Sequence, residues 1–176
     1  MTAPVHIPHE TAPQAVIHTC WPANRELWEE NLDPARAEFA SFVSHLVRGG
    51  QAVTVHAANE ETQRDVRARL GQTVEVVRNP YGDVWVRDTG PVFAVSNGQL
   101  KAVRFRFNGW GGKYELDGDQ QIGLAVAARA GAALKEADLV CEGGALEFDG
   151  EGTLLTTRQC LLNANRNPGL TEAQVE

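Results

Sequence analysis

The chain has 176 residues, 43% of them hydrophobic and 22% charged, and carries a formal net charge of −7. That length suits one ordinary domain or a piece of a larger one, and the apolar share is enough to bury a core. The acidic balance argues against non-specific nucleic-acid binding, which needs basic surface, and is compatible with a cationic ligand. The N-terminal residues have no basic stretch followed by an apolar core, so they do not read as a signal peptide. The most apolar run, residues 122–134, is interrupted by Arg129 and is too short to cross a bilayer. The cysteines Cys20, Cys141 and Cys160 show no CxxC spacing and are odd in number. This favours free thiols in a reducing compartment over disulfides or a zinc site, and a cytoplasmic location is expected.

Residues 15–20 form a short strand candidate that stops at Trp21-Pro22. Asp33-Pro34 is expected to open a helix, with Asp33 as its cap and Pro34 at the first helical position. Phe39, Phe42, Val43, Leu46 and Val47 recur at helical spacing, and Gly49-Gly50 should end that helix. Residues 51–56 read as a strand. Asn59 is expected to cap a second helix that runs through Leu70 and ends at Gly71, and residues 74–77 read as the next strand. Val84, Trp85 and Val86 look strand-like and lead into Arg87-Asp88-Thr89-Gly90-Pro91. Residues 92–95 and 102–107 are read as strands, with Asn97-Gly98 as a hairpin turn. A glycine-rich loop, Asn108 to Gly112, follows, and then a helix from about 119 to about 133. Residues 139–148 and 153–162 look like two strands around the turn Asp149-Gly150-Glu151-Gly152. Residues 163–168 are read as an irregular polar loop. Thr171 and Gln174 fit a capping box. The chain stops at Glu176 after one turn of the helix this box announces, so it reads as a fragment, cut at the start of a helix. The order of elements implies a mixed α/β fold made of small sheets. No GxGxxG follows a strand and no P-loop is present, so nucleotide binding has little support.

Two acids stand out. Asp88 lies at a strand-to-turn junction, where a carboxylate can match the planar N–H fork of a guanidinium. It could equally cap the Thr89-Gly90-Pro91 turn or pair with Arg87. Glu142 follows an apolar run and precedes Gly143-Gly144, so a ligand backbone or group can approach it closely. A solvated strand-end acid is the alternative. Trp85 and Trp110 are candidate aromatic faces for a cation. For Trp85 core packing competes with that role. Trp110, among Gly109, Gly111 and Gly112, is either a lid or a loop anchor. Cys141 lacks a cationic neighbour that would lower its pKa, and the Glu142 carboxylate would raise it, so Cys141 and Cys160 read as small buried hydrophobes. The histidines at 6, 9, 18, 45 and 56 form no metal-ligand spacing, and His6 and His9 fall in what reads as a loose terminus.

These segments, taken in order, resemble a known family. The words Trp21-Pro22, Asp83 through Pro91, Phe107-Asn108-Gly109-Trp110-Gly111-Gly112-Lys113-Tyr114, Glu142-Gly143-Gly144, and Gly152 through Thr157 with Asn163 through Pro168 resemble agmatine deiminases. The bacterial-type peptidylarginine deiminases are grouped with them. The resemblance covers almost the whole chain. It implies the pentein fold, a five-bladed α/β propeller of the guanidine-modifying enzymes, with about half of the blades present in the 176 residues, which form the N-terminal portion of a single catalytic domain. It implies hydrolysis of agmatine to N-carbamoylputrescine and ammonia, a step of putrescine biosynthesis, with no metal and no organic cofactor. It also implies a cysteine that attacks the guanidinium carbon and a histidine that shuttles protons. In the family these follow the point where this chain stops, and none of Cys20, Cys141 and Cys160 matches the nucleophile's motif. By motif, Asp88 and Glu142 match the substrate-holding acids of this half and Trp85 the aromatic near them. Trp110 lies in the matching glycine-rich word. The expected partner is a small cationic guanidine, with no nucleic acid and no membrane. A homo-oligomer or a separately encoded C-terminal half is the further partner expected. A bacterial-type peptidylarginine deiminase and a non-catalytic module that binds guanidines or amines are the alternative readings.

Overall fold

The structure, a computed structural model, describes residues 5–175. The described residues divide into two compact units, one of residues 13–86 and 116–122, the other of residues 5–12, 87–115 and 123–175.

The first unit is a three-stranded parallel sheet in the order β1-β2-β3, from β1 (Ile17–Cys20), β2 (Val53–Ala57) and β3 (Glu75–Arg78). A short helical turn, α1 (Arg25–Trp28), follows β1, and α2 (Leu32–Arg48) and α3 (Glu60–Leu70) provide the two crossovers that parallel pairing requires. The central strand β2 is buried along its whole length, as a parallel strand covered on both faces must be. Val43 of α2 and Val66 and Leu70 of α3 pack with Trp21, Val53, Val55 and Val76 in one apolar core. Asn59 caps α3 as expected, accepting from the Thr62 N–H at 2.9 Å, and Gly71 ends it with φ +62°.

Two expectations for α2 change. It begins at Leu32, fed by a 3₁₀ turn over Glu29–Asn31, so Asp33 sits inside the first turn instead of capping it. The Asp33 carboxylate turns to Arg69 of α3 at 3.2 Å. Phe42, expected on the apolar face, is 52% exposed.

Burial in β2 leaves one polar ring to satisfy. His56 is fully buried, with its Nε2 3.1 Å from His18 Nδ1 and its Nδ1 accepting from Asn79 Nδ2 at 2.9 Å. The end of β3 leads into a clamp. The Tyr81 hydroxyl donates to the Trp21 carbonyl at 2.7 Å, and the Gly82 N–H donates to Asp119 Oδ1 at 3.0 Å. A Cβ on Gly82 would collide with Leu116, so only glycine permits this closeness.

The second unit starts where Val84, Trp85 and Val86 were expected to form a strand. The chain instead makes a helical turn, α4 (Val86–Thr89). The strands β4 (Val92–Ser96) and β5 (Gln99–Arg106) form the expected hairpin, with Asn97 at φ +52° and Gly98 at φ +71°, the primed turn that a two-residue loop favours. After the turn α5 (Gly109–Gly112), α6 (Asp119–Arg129) crosses over to β6 (Ala133–Val140), which pairs parallel with β5. The unit is therefore a β-β-α-β repeat. Gly131 at φ +63° ends α6 short of residue 133, and β6 begins there. Most of β6 is exposed, which is why its sequence lacks strand alternation.

The strand expected over 139–148 is broken by a 3₁₀ turn at Gly143–Ala145. Only β7 (Glu147–Phe148) and β8 (Leu154–Leu155) pair around the 149–152 turn. The rest of the strand expected over 153–162 is α7 (Arg158–Leu161), capped by Thr157, whose Oγ1 accepts from the Cys160 N–H at 3.3 Å. α8 (Glu172–Val175) follows the predicted capping box, with the Thr171 N–H donating to Gln174 Oε1 at 2.9 Å. The segment holding His6 and His9 is tethered rather than loose: His6 makes an antiparallel bridge to Val95.

Burial, and then the neighbouring His18, lowers the pKa of His56 from 6.5 to about 4. The neutral ring is the folded form, so its stabilisation is whole above pH 6.5. It is lost as pH falls toward about 4, where both states are protonated. Urea unfolding measured from pH 7 to pH 4 should show a decline of up to about 3 kcal/mol from this group. His56→Gln should flatten that slope, whatever it does to stability at pH 7.

Candidate functional site

Asp88 sits in the helical turn α4. Its Oδ1 accepts from the Gly144 N–H at 3.0 Å and its Oδ2 from the Trp110 indole N–H at 3.1 Å. Arg87 does not pair with it. The Arg87 guanidinium turns to Glu10, with N–O distances of 2.5 and 3.1 Å. Nor does Asp88 bond to the turn that follows it. Both of its partners are neutral N–H groups, and each carboxylate oxygen can accept twice. One acceptor position on each oxygen is left, which is the pattern a planar fork of two N–H groups needs.

Trp110 is positioned by backbone that few non-glycine residues adopt, φ +58° and ψ +42°. Asn108 holds the turn, its Oδ1 accepting from the Gly111 N–H at 2.9 Å. The indole packs edge-on against Phe107, with ring centroids 4.8 Å apart, and against Tyr114 at 6.2 Å. Of the two roles open to it, this packing matches an anchor.

Glu142 leaves the end of β6. Its side chain is 4% exposed, and Oε1 accepts from Arg166 Nε at 2.6 Å. Its Oε2 is buried and has no hydrogen-bond partner among the described residues. The glycines after it explain how its loop reaches Asp88. A Cβ on Gly144 would collide with Asp88 Oδ1, and one on Gly143 with the Arg87 carbonyl oxygen. Trp85 is 53% exposed, which removes core packing as its role.

The thiols are not poised to attack. Cys141 is buried, and burial first, then Glu142, Cys160 and Asp88, push its pKa up to about 12. Its S–H donates to the Glu142 carbonyl at 3.3 Å. Cys20 is fully buried, and burial, then Asp119 and Asp83, raise its thiol too. Cys160, expected to be buried, is partly exposed. Among the described residues no three His, Cys, Asp or Glu side chains gather to hold a metal ion, and no helix is long and apolar enough to cross a membrane.

Arg166 and the asparagines around it lie in the segment read as an irregular polar loop and in the last family word, but none was singled out as a site residue. Asn167 is buried and fixes the strand end beneath Glu142. Its Nδ2 donates to the Val140 and Leu161 carbonyls at 2.9 and 2.8 Å, and its Oδ1 accepts from the Val140 N–H at 2.9 Å. Asn108 Nδ2 donates to the Asn165 carbonyl at 2.8 Å. A buried acid needs a counter-charge, and Arg166 is the one cation of residues 163–168. That was the available signal.

The family model for Porphyromonas-type peptidyl-arginine deiminase matches residues 6–176. The agmatine deiminase of Pseudomonas syringae pv. tomato is 37% identical over 182 residues, covering 97% of this chain and 48% of that protein. The agmatine deiminase of Stutzerimonas stutzeri is 39% identical over 179 residues with the same coverage. Among solved structures, the agmatine deiminase of Enterococcus faecalis superposes with a TM-score of 0.89 at 28% identity, covering 97% of this chain and 48% of that one. A substrate-bound agmatine deiminase of C. jejuni gives 0.86 at 30% identity, covering 97% and 51%. The chain spans about half the length of the curated relatives it matches. It belongs to the Porphyromonas-type peptidyl-arginine deiminase family and has the mixed α/β pentein fold of the solved agmatine deiminases.

Two outcomes follow from the packing. Gly143→Ala, at a position without a left-handed backbone, should cost about 1–3 kcal/mol in urea unfolding, because the methyl group meets a carbonyl oxygen that cannot move freely. With iodoacetamide at pH 8, Cys20 and Cys141 should stay unmodified in the folded chain and react fully in urea. Rapid native labelling of Cys141 would contradict its protonated, buried state.

Proposed function

We propose that this chain supplies the guanidinium-holding part of a deiminase site, and that the reaction of the whole protein is hydrolysis of agmatine to N-carbamoylputrescine and ammonia. The observation that carries the reading is Asp88, whose carboxylate is oriented by two neutral N–H donors and keeps an acceptor position on each oxygen. A guanidinium presents two parallel N–H groups to such a carboxylate, and the charge makes those bonds about twice as strong as neutral ones. Glu142 Oε2 offers a further buried acceptor. Held so, the guanidinium keeps its charge and its carbon stays electron-poor. In the overall hydrolysis, water oxygen replaces one terminal nitrogen, which leaves as ammonia. Trp110 provides the N–H that orients Asp88.

The relatives named as agmatine deiminases support agmatine as the substrate. The family description favours a second reading, the same chemistry on a peptidyl-arginine. Turnover of agmatine, free arginine and a peptidyl-arginine by a whole family protein containing this sequence would separate the two. Attack on the carbon is not assigned to Cys20 or Cys141, since both are buried and held protonated. Pure 176-residue chain should therefore release no ammonia from agmatine.

Calorimetric titration with agmatine tests the holding role. Asp88→Asn keeps the shape and one acceptor oxygen but loses the charge, and should weaken binding roughly 10- to 100-fold, the equivalent of about 1.5–3 kcal/mol for hydrogen bonds to a charged group. Unchanged affinity would remove Asp88 from the pocket.

A further inference from the structure

We infer that Arg166 is a positioning residue of the guanidinium pocket, acting through Glu142; this rests on the holding role proposed above. A carboxylate as buried as Glu142 is costly unless a counter-charge and hydrogen bonds accompany it. Arg166 provides both, but to one oxygen only. Its Nε donates to Oε1 at 2.6 Å, and the two side chains are 12% and 4% exposed. That single bond fixes the plane of the carboxylate and leaves Oε2 buried and unpartnered among the described residues. The charge of Glu142 is matched by Arg166, so what Oε2 presents is one directed acceptor inside a neutral pair. The uncompensated charge for the ligand is then that of Asp88. Such a combination suits a singly charged, planar group with several N–H donors, and suits a divalent cation poorly.

The glycine loop leaves room for Arg166. A Cβ on Gly111 would collide with Arg166 Nη1 and with the Asn165 side chain, so residue 111 leaves that space to the guanidinium head. Asn108 joins the two loops. It accepts from the Gly111 N–H at 2.9 Å and donates to the Asn165 carbonyl at 2.8 Å. Trp110, next to Gly111, donates to Asp88, while Arg166, next to Asn165, donates to Glu142. One interlock thus sets the orientation of both acids.

The test is agmatine titration by calorimetry on the 176-residue chain, for wild type, Arg166→Gln, Arg166→Lys, Glu142→Gln and the Glu142→Gln/Arg166→Gln pair, with folding checked by circular dichroism. Arg166→Gln should weaken binding at least about tenfold, and Arg166→Lys, which keeps the charge but not the planar Nε–H, by a few-fold. In the Glu142→Gln background the Arg166→Gln change should add less than about twofold, because a residue that acts through another has nothing left to position. Affinity within about twofold of wild type in Arg166→Gln, or losses that simply add in the pair, would overturn the inference and leave the Asp88 reading standing. If Arg166→Gln does not fold, Arg166→Lys decides: wild-type affinity overturns the role, and a loss that vanishes in the Glu142→Gln background supports it. No agmatine binding by wild type would sink the guanidinium reading itself, and this inference with it.

Discussion

Asp88 is held between two N–H donors brought to it by glycine-rich segments. Gly144 brings an N–H to one oxygen, and the left-handed Trp110 turn brings an indole N–H to the other. Each approach needs missing atoms. Gly144 would strike Asp88 with a Cβ, Gly143 would strike the Arg87 carbonyl, and Gly111 would strike Arg166. Glycine in such places loses more conformational entropy on folding than any other residue. The second unit accepts that cost at consecutive positions, and the return is a carboxylate whose orientation is set before any ligand arrives. Preorganisation of this kind is the largest single contribution a protein makes to binding and stabilising a charged reacting group.

The Glu142–Arg166 pair carries a different lesson. A buried ion pair is weak evidence for stability, since a well-packed apolar pair of the same volume often does as well or better, whereas removing one partner costs about 3–5 kcal/mol. Its presence therefore asks for a reason beyond folding. The small apolar cluster around Cys141, Leu146 and Leu161 could have closed over this position without any charge. Instead the unit buries a carboxylate and satisfies one oxygen only. Arg87 shows the same economy in reverse. It stands beside Asp88 in sequence, but its guanidinium pairs with Glu10 instead.

Much of the fold was legible because it follows local rules. The Asn59 cap, the Asn97-Gly98 hairpin and the Thr171-Gln174 box each rest on a few adjacent residues, and each is present. The failures share a cause. Val84 to Val86 has strand propensity, yet α4 forms after it, and β6 is a strand with mostly exposed residues and no alternation. Tertiary context overrides propensity in both. The site was legible in part. Asp88, Glu142 and Trp110 stood out through turn chemistry, flanking glycines and family words. Arg166, Asn167 and Asn108 lay in family words too but were not singled out as site residues, because their value lies in contacts with residues 24 to 57 positions away, which no local pattern encodes.

A buried carboxylate with an idle oxygen is not by itself a ligand site, and the first unit contains the comparison that shows why. Asp119 is as buried as Glu142, and its Oδ2 likewise lacks a partner among the described residues. Its surroundings differ in kind. Its other oxygen accepts from the Gly82 N–H, the nearby charge is a second acid, Asp83, and burial raises its pKa. Burial and the neighbouring acid push in the same direction, against the charged form. Glu142 has the Arg166 guanidinium beside it instead. The Asp119 carboxyl meets the Gly82 backbone, accepting its N–H at 3.0 Å. What separates the two acids is the neighbouring charge, a second acid beside Asp119 and a guanidinium beside Glu142.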